Sequence, residues 1–508
     1  MPALSAPDGV IAATALALAY YIYRSRKSLP LPPGPKGWPL IGNVLDMPKS
    51  HSWKKFAQWG EIYGGIMSIT LLGQPFVIIN DPEIAKEILD KRGGNYADRP
   101  VLEMANMSGW NRVLSNSRYG AHSKEYRKLI GKVIGTRKNM ARFNPTEEYQ
   151  ANMFLKRVLE NPAAFEEATR KTAGAMVLHL TYGYKINEQG RDPLVDLADK
   201  ALAEFSEITR PGAFLVDLMP ILKYVPSWLP GAGFKRLAVK YTKSCDDLAE
   251  VPLAYVQEQM AKGQETPCYA SDLLQEKDIP EERLYQIKWS AASFYGAGAD
   301  TTVSVVLAYF LAAAKYPHMQ AKAHAEIDAV VGKNRLPTFE DRDSLPYIEA
   351  ICMELYRWLP IVPLAVPHRA MANDVYEGYF IPKNTLVIAN VWKFLHDPAV
   401  YKDPFVFNPD RFMGPNPETD PTEVGLFGYG RRVCPGAHLA DSSVWINVAK
   451  AVAGLDITRA LGADGKEIDP VADTTDGIIT RPLPFTCIVQ PRTDQVVQLV
   501  AEATMEAP

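Results

Sequence analysis

Apolar positions recur along the chain at two spacings, helical and alternating, and one helical stretch dominates. Residues 289–314 are almost entirely apolar or small, with Asp300 as the single charge. By length alone the run is a candidate for crossing a bilayer. An aspartate at mid-span costs about 2.5–3.5 kcal/mol on insertion scales, so a long helix through the core of a large domain fits better. It ends before Pro317, because the residue preceding a proline resists helical geometry. Residues 345–358 form an amphipathic helix, and an apolar-faced helix starts at Ala437. Lys124, Lys128 and Lys132 recur every four residues and so share one helical face, with Arg127 on the adjacent one. The common meaning of such a stripe is a solvated surface.

Alternating, β-type runs are few and short. Residues 67–72 and 76–79 flank Gly73-Gln74-Pro75 and predict a hairpin. Asp81-Pro82-Glu83 then predicts a helix start, with Asp81 as cap and Pro82 in the first position. The expected class is mainly α with small β-sheets. Residues 101–114 have no clear period yet carry Met104, Met107 and Trp110, awkward for a surface loop. Residues 205–234 mix Pro and Gly with large apolar side chains, which fits a core segment or an apolar loop touching lipid about equally.

The N-terminus follows a different pattern. Residues 9–23 are apolar and uncharged, and Arg24, Arg26 and Lys27 follow at once. The run is short for a span and rich in alanine, but Tyr20, Tyr21 and Tyr23 sit where an aromatic belt would lie. The rival, a cleaved signal peptide, needs basic residues before the run, and here they come after it. The expectation is an uncleaved anchor over 1–28. A proline-rich hinge over 29–45 cannot continue a helix, and one domain fills 46–508.

Composition narrows this picture only a little. The 508 residues are 47% hydrophobic with a net charge of −3, which gives no reason to expect a nucleic-acid partner. Five scattered cysteines without a Cys-x-x-Cys pair read as reduced thiols facing a cytosol.

Candidate chemistry gathers in two places. Phe427-Gly-Tyr-Gly-Arg-Arg-Val-Cys-Pro-Gly436 sets one cysteine in a glycine-punctuated turn before a helix. Backbone N–H groups and nearby Arg432 favour a thiolate at Cys434, and a rigid thiolate with an open face suits an axial haem ligand. The bland reading, a lone buried cysteine, leaves the filled spacing unexplained. Gly296-Ala-Gly-Ala-Asp-Thr-Thr302 lies mid-helix, where each glycine costs about 1 kcal/mol relative to alanine and needs a reason. The expected reason is close approach of dioxygen to the helix backbone. Ala297, Thr301 and Val305 share a face, with Phe294 nearby. The Thr301 hydroxyl can open the local ladder, and Asp300 can relay protons toward it. Glu354 and Arg357 are neighbours three residues apart on their helix, and Pro409-Asp-Arg411-Phe412 lies between them and Cys434.

The spacing Phe-x-x-Gly-x-Arg-x-Cys-x-Gly resembles the haem-binding signature of the cytochrome P-450 family. Ala-Gly-x-Asp-Thr-Thr resembles its oxygen-activation motif, and Glu354, Arg357 and Arg411 resemble its buried ionic network. The resemblance runs from the proline hinge to a hairpin near 480. It implies haem b on Cys434, with Phe427, Gly430, Gly436 and Arg432 shaping the site. Arg99, Arg127 and His368 would meet the propionates through charge-assisted hydrogen bonds. A tryptophan often found four residues before the Arg127 match is replaced by Ser123, beside His122. Met104, Trp110, Phe294, Ala297, Leu364, Ala365 and Ile478 would line an apolar substrate cavity, with catalysis through Thr301 and Asp300.

The implied reaction is monooxygenation of a lipophilic terpenoid, aromatic secondary metabolite or xenobiotic, as in membrane-anchored fungal members. NADPH electrons would arrive through a reductase docked on the lysine stripe, with a cytochrome b5-type donor as a second source. The anchor would hold the catalytic domain on the cytosolic side of the endoplasmic reticulum membrane. A haem-thiolate isomerase or dehydratase acting on peroxides is the rival, and the Asp300-Thr301 pair and lysine stripe argue against it. A non-catalytic haem- or ligand-binding protein is the third class, which no residue favours.

Overall fold

The computed structural model describes residues 29–210 and 212–505 of the 508. The expected anchor falls outside these residues. Among them the chain is mostly helical with three small sheets, the class its periodicities predict.

The elements that position the site begin with helix α1 (Ser52–Tyr63) and the hairpin of β1 (Ile66–Leu71) and β2 (Gln74–Ile79). The hairpin turn is tighter than the sequence pattern suggests. Leu72 and Gly73 have φ of 49° and 85°, the two positive values that a two-residue type I′ turn demands. Pro75 therefore lies inside β2, opposite Thr70. No ladder bond is lost, because the Thr70 N–H and C=O both go to Asn43, at 3.0 and 2.6 Å. The proline-rich segment is thus an extended strap on the sheet. Pro33 O accepts from Ser68 N at 2.8 Å and Pro30 O from Phe380 N at 2.7 Å.

Helix α2 (Pro82–Ala85) starts where expected, with the Asp81 carboxylate accepting from Glu83 N and Ile84 N. Residues 101–114, patternless in sequence, hold helix α3 (Glu103–Met107). Its N-terminus has no cap of its own, and Asp217 accepts its Met104 N–H at 2.8 Å. Then come α4 (Ala121–Ile134), α5 (Asn144–Glu160), α6 (Phe165–Tyr182), α7 (Pro193–Thr209), the short α8 (Leu215–Leu218) and α9 (Gly233–Lys262).

Helix α10 (Glu281–Lys315) crosses the molecule against α4, α6, α9 and the later α12. It starts eight residues earlier than the apolar run: Glu281 and Glu282 are exposed, while Leu284, Tyr285 and buried Ile287 already pack on the core. Pro280 precedes it, and Glu281 and Glu282 complement the positive end of its dipole. Among the described residues it is the one helix long and apolar enough to span a membrane, and most of its apolar length is buried in protein.

Helix α11 (Pro346–Trp358) leads to β3 (His368–Arg369), the pair β4 (Asp374–Tyr376) and β5 (Tyr379–Ile381), and β6 (Leu386–Ala389). The main sheet runs β1-β2-β6-β3. Helix α12 (Ala437–Gly454) follows the cysteine turn and passes into β7 (Leu455–Arg459), which pairs with β8 (Cys487–Pro491).

An ionic knot ties α11 to the chain ahead of the cysteine turn. Arg357 meets Glu354 at 2.7 and 2.8 Å, and Arg411 meets the same carboxylate at 3.1 Å. All three side chains are buried. Arg357 also donates to the carbonyls of Leu395 and Pro404, and Arg411 to Glu418 and the Lys402 carbonyl. Such saturation offsets the desolvation of buried charges, whereas losing one partner of a buried pair costs about 3–5 kcal/mol.

Candidate active site

The cysteine turn is shaped by backbone that few residues tolerate. Gly428 and Gly430 have φ of +79° and +51°, and a Cβ on Gly430 would lie 2.5 Å from Leu89 O. Cys434 N donates to Phe427 O at 2.7 Å, closing the loop. Arg432 is buried and gives its guanidinium to the carbonyls of Ala97, Leu114 and Ser117, at 2.7, 3.3 and 2.8 Å. It thereby clamps the turn to two distant segments.

Cys434 is accessible from an internal cavity although it sits deep in the protein. Depth governs its thiol: burial pushes the pKa up, and the Gly436 N–H and the Arg127 charge pull it down. Arg127 thus takes the part the sequence reading gave to Arg432. A bound metal ion would remove the thiol proton outright.

The cavity measures about 350 Å³ and is mostly apolar. Its lining includes Cys434, Phe427 and Gly436 from the cysteine turn and Ala297, Gly298 and Thr301 from α10. Trp110, Phe205, Phe294, Ala365 and Ile478 line the remainder. Trp110 and Phe205 pack with ring centroids 4.9 Å apart. Thr301 Oγ1 donates to Ala297 O at 2.9 Å, so the hydroxyl is held in the ladder one turn back.

Several expected residues lie elsewhere. Met104 is fully buried in the core, while Leu364, packed against the cluster that holds Phe56 and Trp59, and Gly430 are partly buried, and none of the three is on the cavity wall. The Asp300 carboxylate faces Arg481 at 3.4 Å and Arg170 at 3.8 Å, not the cavity. The α10 glycines line the cavity, and one of them also has a packing reason. A Cβ on Gly298 would meet Val177 Cγ2 of α6 at 2.6 Å, and one on Gly296 points toward Leu202 of α7. Only at Gly298 does the missing side chain admit a neighbouring helix; at Gly296 a Cβ would make ordinary contact.

Four basic side chains border the cavity: Arg99, Arg127, His368 and Arg432. Burial drives the Arg99 pKa far down, and Arg432 and Arg127 add to the fall, opposed only by Asp98. Its Nε is buried without a partner. His368 Nδ1 is 2.7 Å from Tyr96 O, an acceptor, so Nδ1 carries the proton and Nε2 is protonated only in the charged ring. Burial, then Arg99, pushes that pKa well down. Crowded like charges short of counter-charge fit a group bringing two carboxylates, as haem does. Ser123 contributes nothing here: its hydroxyl caps α4 through Gly120, and exposed His122 pairs with Glu282 at 2.8 Å.

Residues that the sequence reading passed over include Leu202 and Phe205 of α7 and Leu248 of α9, all on the cavity wall. Apolar residues at helical spacing look the same whether they meet core or cavity.

A thiol-bearing turn and a threonine-bearing helix that line one apolar cavity with a basic rim describe a haem-thiolate oxygenase. The family model "Cytochrome P450" matches residues 32–453. Cytochrome P450 monooxygenase 208 of Postia placenta is 49% identical over 483 residues, 94% of each chain. Cytochrome P450 monooxygenase claR of Ampulloclitocybe clavipes is 41% identical over 498 residues, 97% of this chain and 92% of its own. Cytochrome P450 monooxygenase CLM2 of Gibberella zeae is 39% identical over 503 residues, 97% and 95%. The chain belongs to the cytochrome P450 family and is a monooxygenase with haem as its cofactor.

Proposed function

We propose that the chain inserts one oxygen atom from O2 into a lipophilic small molecule, a terpenoid or aromatic secondary metabolite or xenobiotic, using NADPH electrons relayed by a reductase. The observation that carries this reading is the cavity: mostly apolar walls, lined by both Cys434 and Thr301. Haem, when bound, supplies oxygen activation at its iron, and thiolate ligation favours O–O cleavage. Cys434 would be the axial ligand, Phe427 and Gly436 would pack beside it, and Gly430 would shape its turn. Arg99, Arg127, Arg432 and His368 would take the two carboxylates.

Trp110, Phe205, Phe294, Ala297, Ala365 and Ile478 would hold the substrate by apolar contact and exclude water. Thr301 would hold a proton at Oγ1 within reach of the reacting face, once its bond to Ala297 O is exchanged. Asp300, between Arg170 and Arg481, would pass protons from the surface toward that turn. Lys124, Lys128 and Lys132 are exposed on α4 and offer an acidic reductase, or a cytochrome b5-type donor, a docking face. Residues 1–28 would anchor the chain to the endoplasmic reticulum membrane, with the domain in the cytosol. Exposed Leu215, Ile221, Tyr224 and Trp228 form an apolar surface consistent with a second lipid contact.

The test is NADPH-dependent oxidation of a panel of lipophilic substrates with and without coexpressed reductase. Product that requires reductase, NADPH and O2 supports the reading. Product from peroxide substrates without reductase would replace it with the isomerase class.

A further inference from the structure

The seam between α5 and α12 carries polar contacts that neither cofactor nor substrate binding uses. Glu147, in the first turn of α5, is fully buried. Its Oε1 lies 2.6 Å from Ser443 Oγ and 3.0 Å from Ser442 Oγ, while its Oε2 is buried with no partner. Ser442 also reaches Leu439 O at 3.1 Å. Further along the same seam, buried Lys450 meets Asn152 Oδ1 at 2.5 Å. The other buried faces of the two helices, including Phe154, Leu155, Val444 and Val448, belong to one apolar cluster.

The protonation of Glu147 follows from its neighbours. A carboxylate would leave charge on Oε2 with no donor, which a buried anion tolerates poorly. With the proton on Oε1, every hydroxyl is assigned. Ser443 donates to Oε1, Oε1–H donates to Ser442, and Ser442 donates to Leu439 O. Burial pushes the carboxyl up to about 8 against the serine hydrogen bonds; Asp441 on α12 adds to the rise, and Arg342, ahead of α11, opposes it. Burial also lowers Lys450 to about 8, against the charges of Glu148 and Asp341.

Ser443 lines the cavity that holds Cys434, and α12 starts three residues after that cysteine. We propose that Glu147 is a positioning residue for Cys434: locked to Ser442 and Ser443, it sets the depth and register of α12 against α5, and with them the thiolate-bearing turn. The Lys450–Asn152 bond is the second fixed point and opposes rotation of α12. The proposal rests on reading Cys434 as the haem ligand.

The test uses the full-length, haem-loaded protein, reduced and saturated with carbon monoxide, whose spectrum separates thiolate from neutral-thiol ligation. Wild type is expected to lose the thiolate spectrum in a one-proton transition near about 8. Glu147→Gln cannot ionise and is expected to keep it through that range. Glu147→Leu fills the space without the hydrogen bonds and should convert roughly tenfold faster at pH values where the wild-type carboxyl keeps its proton, the usual effect of losing one buried polar contact. If the leucine variant does not take up haem, the Ser442→Ala/Ser443→Ala double variant replaces it with the same expectation. Superimposable transitions in wild type and Glu147→Gln, or wild-type conversion rates in the leucine or double-serine variant, would overturn the proposal. A thiolate spectrum missing from every protein, wild type included, would instead overturn the assignment of Cys434.

Discussion

At the scale of single residues, charge placement depends on partners far away in sequence. Asp98 collects Arg118 at 2.8 Å, Arg369 at 2.7 Å and the Tyr119 N–H at 2.8 Å. Burial would raise its pKa, but the Arg118 hydrogen bonds, the Tyr119 and Arg99 N–H groups and the Arg118 charge outweigh it and bring it to about 2. A folded pKa below the reference value of 3.8 means stability that is present above pH 3.8 and lost as pH falls through about 2. Asp98→Asn should therefore cost about 1–2 kcal/mol at neutral pH, discounted because Arg118 is half exposed. In denaturant titrations the difference from wild type should shrink across that acid window. A difference independent of pH would assign the loss to packing. Cys434 was legible in the sequence because its turn needs glycine and arginine at fixed local offsets. The direction of Asp300 was not, because Arg170 and Arg481 arrive from other parts of the chain.

At the scale of elements, long periodic helices were legible and short ones with borrowed caps were not. Helix α3 escaped the sequence reading because its cap comes from Asp217, over a hundred residues later. The second hairpin strand is longer than its sequence pattern suggests, since Pro75 looks like a breaker but its partner Thr70 bonds to Asn43 instead of the ladder. The glycines of α10 give a sharper test. A Cβ on Gly298 would lie 2.6 Å from Val177, whose branched side chain has one favoured rotamer in a helix. Gly298→Ala should cost about 1–3 kcal/mol by overpacking. Gly296→Ala meets Leu202 at an ordinary 3.5 Å and should be neutral or stabilising by up to about 1 kcal/mol. Thermal unfolding of both variants measures this, and Val177→Ala should restore the Gly298→Ala protein. Equal effects at the two positions would contradict the packing account.

At the scale of the whole molecule, the first described residues are tied to the sheets of the domain. Pro30 O accepts from Phe380 N of β5, and Pro32 O and Pro33 O accept from Ser68 of β1, contacts expected to survive removal of residues 1–28. The truncated protein should move largely from membrane to supernatant with its haem content unchanged. Loss of haem on truncation would show that the segment shapes the domain. The central claim is that Cys434, carried between a buried arginine clamp and α12, is the haem ligand. The carbon monoxide difference spectrum of the reduced protein tests it most directly. Wild type should give the thiolate-type band and Cys434→Ala should lack it. An undiminished thiolate-type band in Cys434→Ala would contradict the account.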